Sequence, residues 1–251
     1  MTKPSTRLHV ATDLAGGLTI GLDPSQAHYV KAVLRLASGD AVALFNGRDG
    51  EWLGRIDGVG KGWCSVTLQE RLRPQTEEGD LWLAFAPVKR ARIDFLVEKA
   101  TELGVSELRP VYTERTIVDR VNLDRLRANA VEAAEQTERL TVPVLREPEP
   151  LAKLLAGWPA ARRLLLCDES GTSPPVAEAL RGAPPGPWAV LTGPEGGFTQ
   201  TELDALKKLP FVCAVSLGPR VLRADTAALA ALAAFQALVG DWQAKRSVDP
   251  R

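Results

Sequence analysis

The sequence predicts an α/β protein in two parts, a small β-rich unit followed by a parallel sheet with helices on its faces. Three observations predict it. Over about the first seventy residues, short apolar runs alternate with glycine-bearing turns, as short strands do. From residue 81 the rhythm changes, and strand-length apolar runs alternate with segments of helical periodicity. Two glycine- and proline-bearing stretches, residues 191–199 (LTGPEGGFT) and 217–226 (LGPRVLRADT), each follow an apolar run and precede a helix. Paired loops of this kind at strand ends are where α/β sheets bind small molecules.

The 251 residues suffice for one large or two modest domains. Thirty-one basic residues balance 31 acidic ones. A net charge of zero argues against coating nucleic acid by bulk charge, while leaving room for a local basic face. Cys64, Cys167 and Cys213 are odd in number, widely spaced and set in apolar runs, which predicts buried thiols in a reducing compartment. No apolar signal segment opens the chain. The longest weakly polar stretch, residues 224–240, is too short for a membrane span and contains Asp225 and Gln236. The expected location is the cytoplasm.

In the first part, Ala41–Phe45, residues 51–59 and residues 63–68 are strand candidates, separated by turns such as Asn46-Gly47 and Lys61-Gly62. Asp23-Pro24-Ser25-Gln26 supplies an N-cap, a proline at the first helical position and a capping glutamine. Val30, Val33 and Leu34 follow at helical spacing, with Lys31 and Arg35 on another face. A closed barrel with one helix is the economical way to cover the edges of such short strands. The polar stretch at residues 71–80 (RLRPQTEEGD) reads as a linker. The expected boundaries are residues 1–72, a linker at 73–80, and residues 81–251.

In the second part, residues 81–86 form a strand. Residues 91–103 form a helix with Ile93, Leu96, Val97, Ala100 and Leu103 on one face, closed by Gly104. Glu107–Tyr112 returns as a strand and residues 123–140 as a helix. Residues 164–167, Trp188–Thr192 and residues 211–217 are further strands. Thr199 and Glu202 make a capping box for the next helix. The last helix, residues 225–239, is apolar nearly all round and is expected to be buried on every side, part of it against a second subunit.

Residues 193–197 (GPEGG) are not a phosphate loop: no lysine follows, and Glu195 would repel a pyrophosphate. Backbone amides and carbonyls plus one carboxylate suit a neutral or cationic ligand, such as an adenosine carrying a sulfonium. A valine at position 196 is expected to fill the space such a ligand needs. Arg220 and Arg223 stand at the rim of an apolar element, where guanidinium groups are costly unless they face water or an anion. RNA phosphate, a substrate base or an acidic partner all fit. Both histidines, His9 and His28, lie far from the loops in the chain; no Ser or Cys is framed as a nucleophile, and no metal-ligand spacing occurs. The chemistry expected is positioning and electrostatics around a bound cofactor. Arg7, the pair Lys31 and Arg35, and the group Lys89, Arg90 and Arg92 make three basic clusters expected to converge on an RNA-binding groove.

The loops LTGPEGGFTQTE and LGPRVLRADTAALAAL resemble the two signature loops of the RsmE family, bacterial 16S rRNA uracil-N3 methyltransferases of the SPOUT superfamily. KATELGVSELRPVYTERT, AAEQTERLTVP and HYVKAVLRLASGD are similar to further blocks of the family, so the resemblance covers nearly the full length. It implies a PUA-like β-barrel RNA-binding domain, then a trefoil-knotted SPOUT domain that binds S-adenosylmethionine and forms a homodimer. It also implies methylation at N3 of the uracil equivalent to position 1498 of small-subunit rRNA. Leu191, Thr192, Gly193, Pro194, Glu195 and Gly196 from one loop, and Leu217, Gly218, Val221, Leu222 and Thr226 from the other, would surround the cofactor. Arg223 is expected to stabilise the uracil anion, with Glu195 orienting the cofactor or acting as base. Asp225 is a second candidate base or a helix cap. RNA contacts are expected from Arg7, Lys31, Arg35, Lys89, Arg92 and Arg220, and no metal is expected. Leu8 and His9 replace the aromatic residues that often follow the family's N-terminal arginine, and Ala224-Asp225 replaces the commoner Thr-Glu. A SPOUT enzyme acting on another RNA, or an RNA-binding module without activity, are the other readings.

Overall fold

The computed structural model describes residues 3–243. The chain divides into two units: residues up to Glu77 joined by Ala134–Val142, and Glu78–Ala133 joined by the chain from Pro143 onward.

The first unit holds one sheet. Strand β1 (Arg7–His9) pairs parallel with β3 (Ala41–Phe45), which pairs antiparallel with β4 (Glu51–Gly60). Strand β4 pairs antiparallel with β5 (Trp63–Arg73), and β5 with β2 (Thr19–Leu22). The order β1-β3-β4-β5-β2 leaves β1 and β2 as the two edges, with no ladder between them among the described residues. The barrel expected from sequence is therefore not closed by hydrogen bonds. Its core is filled by Leu8, Ile20, Val42, Leu44, Ile56, Val66 and Leu68 from the strands and by Ala27 and Val30 from the helical segment. Helix α1 (Pro24–His28) starts as expected: the Asp23 carboxylate accepts from the Gln26 amide at 2.8 Å, and the box is reciprocal. It then widens into a π-helical turn over Tyr29–Val33. The period of 3.6 residues is lost there, and Val33, expected beside Val30, stands 59% exposed. Arg35 follows with φ 57°, ending the segment in the left-handed region. Ala134–Val142 joins this unit through Ala134 and Leu140, which pack on Phe45.

The second unit is a parallel sheet. Its strands are β6 (Leu81–Phe85), β7 (Glu107–Tyr112), β8 (Val144–Leu145), β9 (Glu149–Pro150), β10 (Arg163–Cys167), β11 (Trp188–Thr192) and β12 (Val212–Val215). The order is β12-β10-β11-β6-β7-β8, with β9 on β7, and every ladder is parallel. The helices are α2 (Arg90–Glu102), α3 (Leu123–Gln136), α4 (Leu151–Ala156), α5 (Val176–Ala179), α6 (Gln200–Lys207) and α7 (Ala224–Leu238). Strand β11 runs between β10 and β6, with β12 outside β10. The crevice at the carboxyl ends of β10, β11 and β12 lies where the strand order reverses, the place where such sheets bind ligands.

Helix α7 is only partly covered by its own chain. It buries one stripe, Ala228, Ala231, Leu232, Phe235 and Gln236, while Ala237 and Leu238 are exposed. Gln236 explains how a polar residue sits in that stripe: its amide donates to the Leu103 carbonyl at 2.7 Å and accepts from the Asp241 amide at 3.1 Å. Gly104 and Gly240 flank it, and a Cβ on Gly240 would come within 1.9 Å of the Gln236 oxygen. No helix among the described residues is long and apolar enough to cross a membrane.

Candidate functional site

Three loops, each leaving the carboxyl end of a neighbouring strand, enclose a cleft of about 880 Å³ including its open mouth. The loop after β11 contributes Thr192, Gly193, Pro194, Glu195 and Gly197; the loop after β12 contributes residues 216–222, and α7 adds Ala224 and Ala227. The third loop, after β10, contributes Cys167, Asp168, Glu169 and Gly171. Sequence reasoning missed that third loop. Its signal was an acidic pair placed directly after the apolar run LLLC, at the functional end of a parallel strand.

The glycine loop after β11 is clamped from both sides. Arg115 Nη1 donates to the carbonyls of Gly196 and Phe198 at 3.0 and 3.3 Å, and Glu169 Oε1 accepts from the Phe198 amide at 2.9 Å. The Gly197 amide closes a turn onto the Pro194 carbonyl at 2.9 Å with φ +67°, and a Cβ there would lie 2.2 Å from Glu169 Oε1. Only glycine fits. A Cβ on Gly193 would press to 2.9 Å of the Phe198 ring. Helix α6 follows with the expected Thr199 and Glu202 capping box.

Within the third loop, Asp168 is buried and saturated. Its carboxylate takes the Lys207 ammonium at 2.7 Å, the Ser173 hydroxyl at 2.5 Å, and the amide and hydroxyl of Ser170, both at 2.9 Å. Burial alone would raise its pKa, but the Lys207 ammonium and the Ser173 and Ser170 donors prevail and hold it at about 2. Burial has the opposite result for Cys167, whose thiol is pushed up to about 12, reinforced by the nearby Glu169 carboxylate. That thiol is no nucleophile.

The residues expected from sequence distribute unevenly. Thr192, Gly193, Pro194, Glu195, Leu217, Gly218, Val221 and Leu222 line the cleft, and Arg220 joins them. Leu191 is instead buried in the sheet at 1% exposure. Gly196 is not among the residues lining the cleft, and a Cβ there would stand in ordinary contact with Arg115 side-chain atoms at 3.6 and 3.7 Å. Arg223 and Thr226 are exposed and outside the lining. Arg223 occupies the N-cap position of α7 without a side-chain cap bond. Asp225, a proposed cap from sequence, therefore sits inside the first turn, one carboxylate oxygen buried and without a hydrogen bond among the described residues. Glu195 is ion-paired with Arg92 of α2, so two residues assigned separate duties are each other's partner. Lys89 precedes α2 as an exposed N-cap residue. In the first unit, Lys31 and Arg35 are exposed. Arg7 is not: its guanidinium pairs with Glu51, donates to the carbonyls of Ala134, Glu135 and Arg139 at 2.8–2.9 Å, and lies 4.5 Å from the Phe45 ring centre.

Comparison with known proteins agrees with this geometry. Residues 75–236 match the model of an RNA methyltransferase domain, and residues 22–69 that of an RNA methyltransferase PUA domain. A Rickettsia conorii protein named ribosomal RNA small subunit methyltransferase E is 34% identical over 238 residues, covering 92% of this chain and 95% of the relative. The chain belongs to the RsmE family. A Synechocystis RsmE protein is 33% identical and covers 93% of this chain and 78% of its own length. The crystal structure of the Neisseria gonorrhoeae RsmE protein bound to S-adenosyl methionine superposes with a TM-score of 0.83 at 28% identity, covering 94% of this chain and 99% of that one. A methyltransferase structure from Legionella pneumophila, in complex with the bound cofactor SAM, gives 0.83 at 30% identity over 96% and 100% of the two chains.

Proposed function

We propose that this RsmE-family chain methylates N3 of a uracil in 16S rRNA, the 1498 equivalent, using S-adenosylmethionine held in the three-loop cleft. The observation that carries the reading is the convergence of two glycine loops and an acidic loop at the switch point of a parallel sheet. The donor set fits the cofactor. Main-chain edges at 192–195 and 216–219 can reach adenine and ribose hydrogen-bonding groups. Gly218, where an added Cβ would meet nothing within 4 Å, leaves its edge open, and the residues lining the cleft include no phosphate-binding lysine.

When bound, S-adenosylmethionine supplies a methyl group on positively charged sulfur, already activated for transfer. The chain has two tasks left, to align uracil N3 and to stabilise the negative charge that develops as its proton leaves. Arg223 suits the second. It is exposed, it has no side-chain partner among the described residues, and it stands at the amino end of α7, where the helix dipole adds positive potential. Glu195 is engaged by its ion pair with Arg92 and serves to position the loop. Lys31, Arg35, Lys89 and Arg220 supply phosphate contacts, and the PUA-like unit is the RNA-binding domain. We further propose that the chain follows the family's trefoil-knotted path, works in the cytoplasm, and pairs as a homodimer through the apolar face that α7 leaves uncovered at Ala237 and Leu238.

The test is methyl transfer from labelled S-adenosylmethionine to 16S rRNA and to small subunits lacking the modification, with the product nucleoside mapped by mass spectrometry. N3-methyluridine at the 1498 equivalent is expected, and Arg223→Ala should abolish turnover while the cofactor still binds. Methylation of a 2′-hydroxyl, or binding without transfer, would replace this reading with one of the two alternatives.

A further inference from the structure

The charges on the cleft wall do not cancel. Three carboxylates and one guanidinium line it: Asp168, Glu169, Glu195 and Arg220. Asp168 is neutralised by Lys207 and Glu195 by Arg92. Glu169 has no ion pair among the described residues; its one hydrogen bond is to the Phe198 amide through Oε1, which leaves Oε2 free. Oε1 occupies the space a Gly197 side chain would need, so glycine at 197 gives this carboxylate its place. A carboxylate at a binding cleft with one oxygen engaged by a backbone amide and the other open is oriented to meet a positive charge.

We propose that Glu169 is the specificity-determining carboxylate of this site, recognising the positive charge of the bound nucleoside. The role assigned from sequence to Glu195 belongs to Glu169, since Arg92 already occupies Glu195. Glu169 also ties recognition to loop shape: the same side chain that meets the ligand holds the Phe198 amide, so the acidic loop and the glycine loop act on the ligand together. This inference rests on the methyltransferase reading above.

Calorimetric titration separates the two. Wild type, Glu169→Gln and Glu169→Asp are titrated with S-adenosylmethionine, S-adenosylhomocysteine and 5′-methylthioadenosine, which carries no charge. Glutamine keeps an oxygen for the Phe198 amide and removes only the charge, and thermal melting without ligand checks that the fold is intact. A charged hydrogen bond of this kind corresponds to roughly 10- to 100-fold in affinity. Glu169→Gln should lose that much for S-adenosylmethionine and less than about threefold for 5′-methylthioadenosine, with Glu169→Asp recovering part of the loss. A loss shared by S-adenosylhomocysteine places the contact at the amino group, and one confined to S-adenosylmethionine places it at sulfur; both support the assignment. Equal losses for the charged and neutral nucleosides, or none, overturn it and leave Glu169 as a loop support. Should Glu169→Gln not fold, salt titration of the wild type decides, because only the charged nucleosides should then bind more weakly as salt rises. Wild type that binds none of the three overturns the methyltransferase reading as well.

Discussion

Replacing Arg7 with methionine asks whether that guanidinium holds the first unit together or faces RNA. Methionine keeps an unbranched stem over Phe45 and removes every donor. The bonds lost are those to Glu51 and to the carbonyls of Ala134, Glu135 and Arg139. The side chain is 13% exposed, so water replaces little of what is removed. Breaking a buried charge pair by deleting one partner costs about 3–5 kcal/mol. Here Arg73 stays on the other oxygen of Glu51 at 2.6 Å, so the carboxylate is not stranded, and the lower end, about 3 kcal/mol, applies. At 1.4 kcal/mol per decade this means roughly 100-fold more frequent opening of the segment that Arg7 ties down.

Hydrogen exchange read by mass spectrometry on peptides spanning 134–142 measures that opening directly, and urea unfolding gives the global loss. Arg7→Lys should fall between the two: a single ammonium keeps the pair with Glu51 but cannot fork to three carbonyls. Unchanged exchange over 134–142 in Arg7→Met, together with weakened RNA binding, would refute the structural role and return Arg7 to the RNA face expected from sequence.

Three further substitutions test the cleft. Asp168 titrates at about 2 against an ordinary 3.8, so it stabilises the fold above its ordinary value and loses that contribution as pH falls from about 4 to 2. Asp168→Asn should therefore cost about 2 kcal/mol at pH 7, with the gap to wild type closing toward pH 2 in denaturant titrations; a gap that ignores pH would mean the charge is not its source. Gly197→Ala forces an L-residue to φ +67° at about 1–2 kcal/mol and drives its Cβ into Glu169. Affinity for S-adenosylmethionine should fall at least about tenfold while Gly196→Val stays near wild type, and the reverse ranking would mean the loop is shaped differently when bound.

The sequence shows most plainly what is local. Strand Ala41–Phe45, the Asp23 and Thr199 capping boxes, and both glycine loops all announce themselves within a few residues, because turn and cap chemistry is decided by near neighbours. What it hides is pairing over long separations. The membership of Ala134–Val142 in the first unit depends on Arg7 and Phe45, more than 80 residues away. The π-helical turn at Tyr29–Val33 shifted Val33 outward where a period of 3.6 kept it in. Gln236 sits in an apolar stripe because its partners are the backbone of Leu103 and Asp241, which no periodicity reveals.

The same limit governs how the basic residues divide. In a chain of zero net charge the totals do not reveal which cations are paired with carboxylates, so counting arginines says nothing about which can meet RNA. The fold separates them by partner. Arg7 is spent on Glu51 and Arg92 on Glu195. Phosphate would have to displace those carboxylates before it gained anything, and for a pair as buried as Arg7–Glu51 that displacement is unfavourable. Lys31, Arg35, Lys89, Arg220 and Arg223 are exposed and have no ion pair among the described residues, so they can exchange bound counterions for phosphate without breaking a protein contact. Affinity for RNA in this chain should follow the unpaired set, whichever arginines the family resemblance singles out.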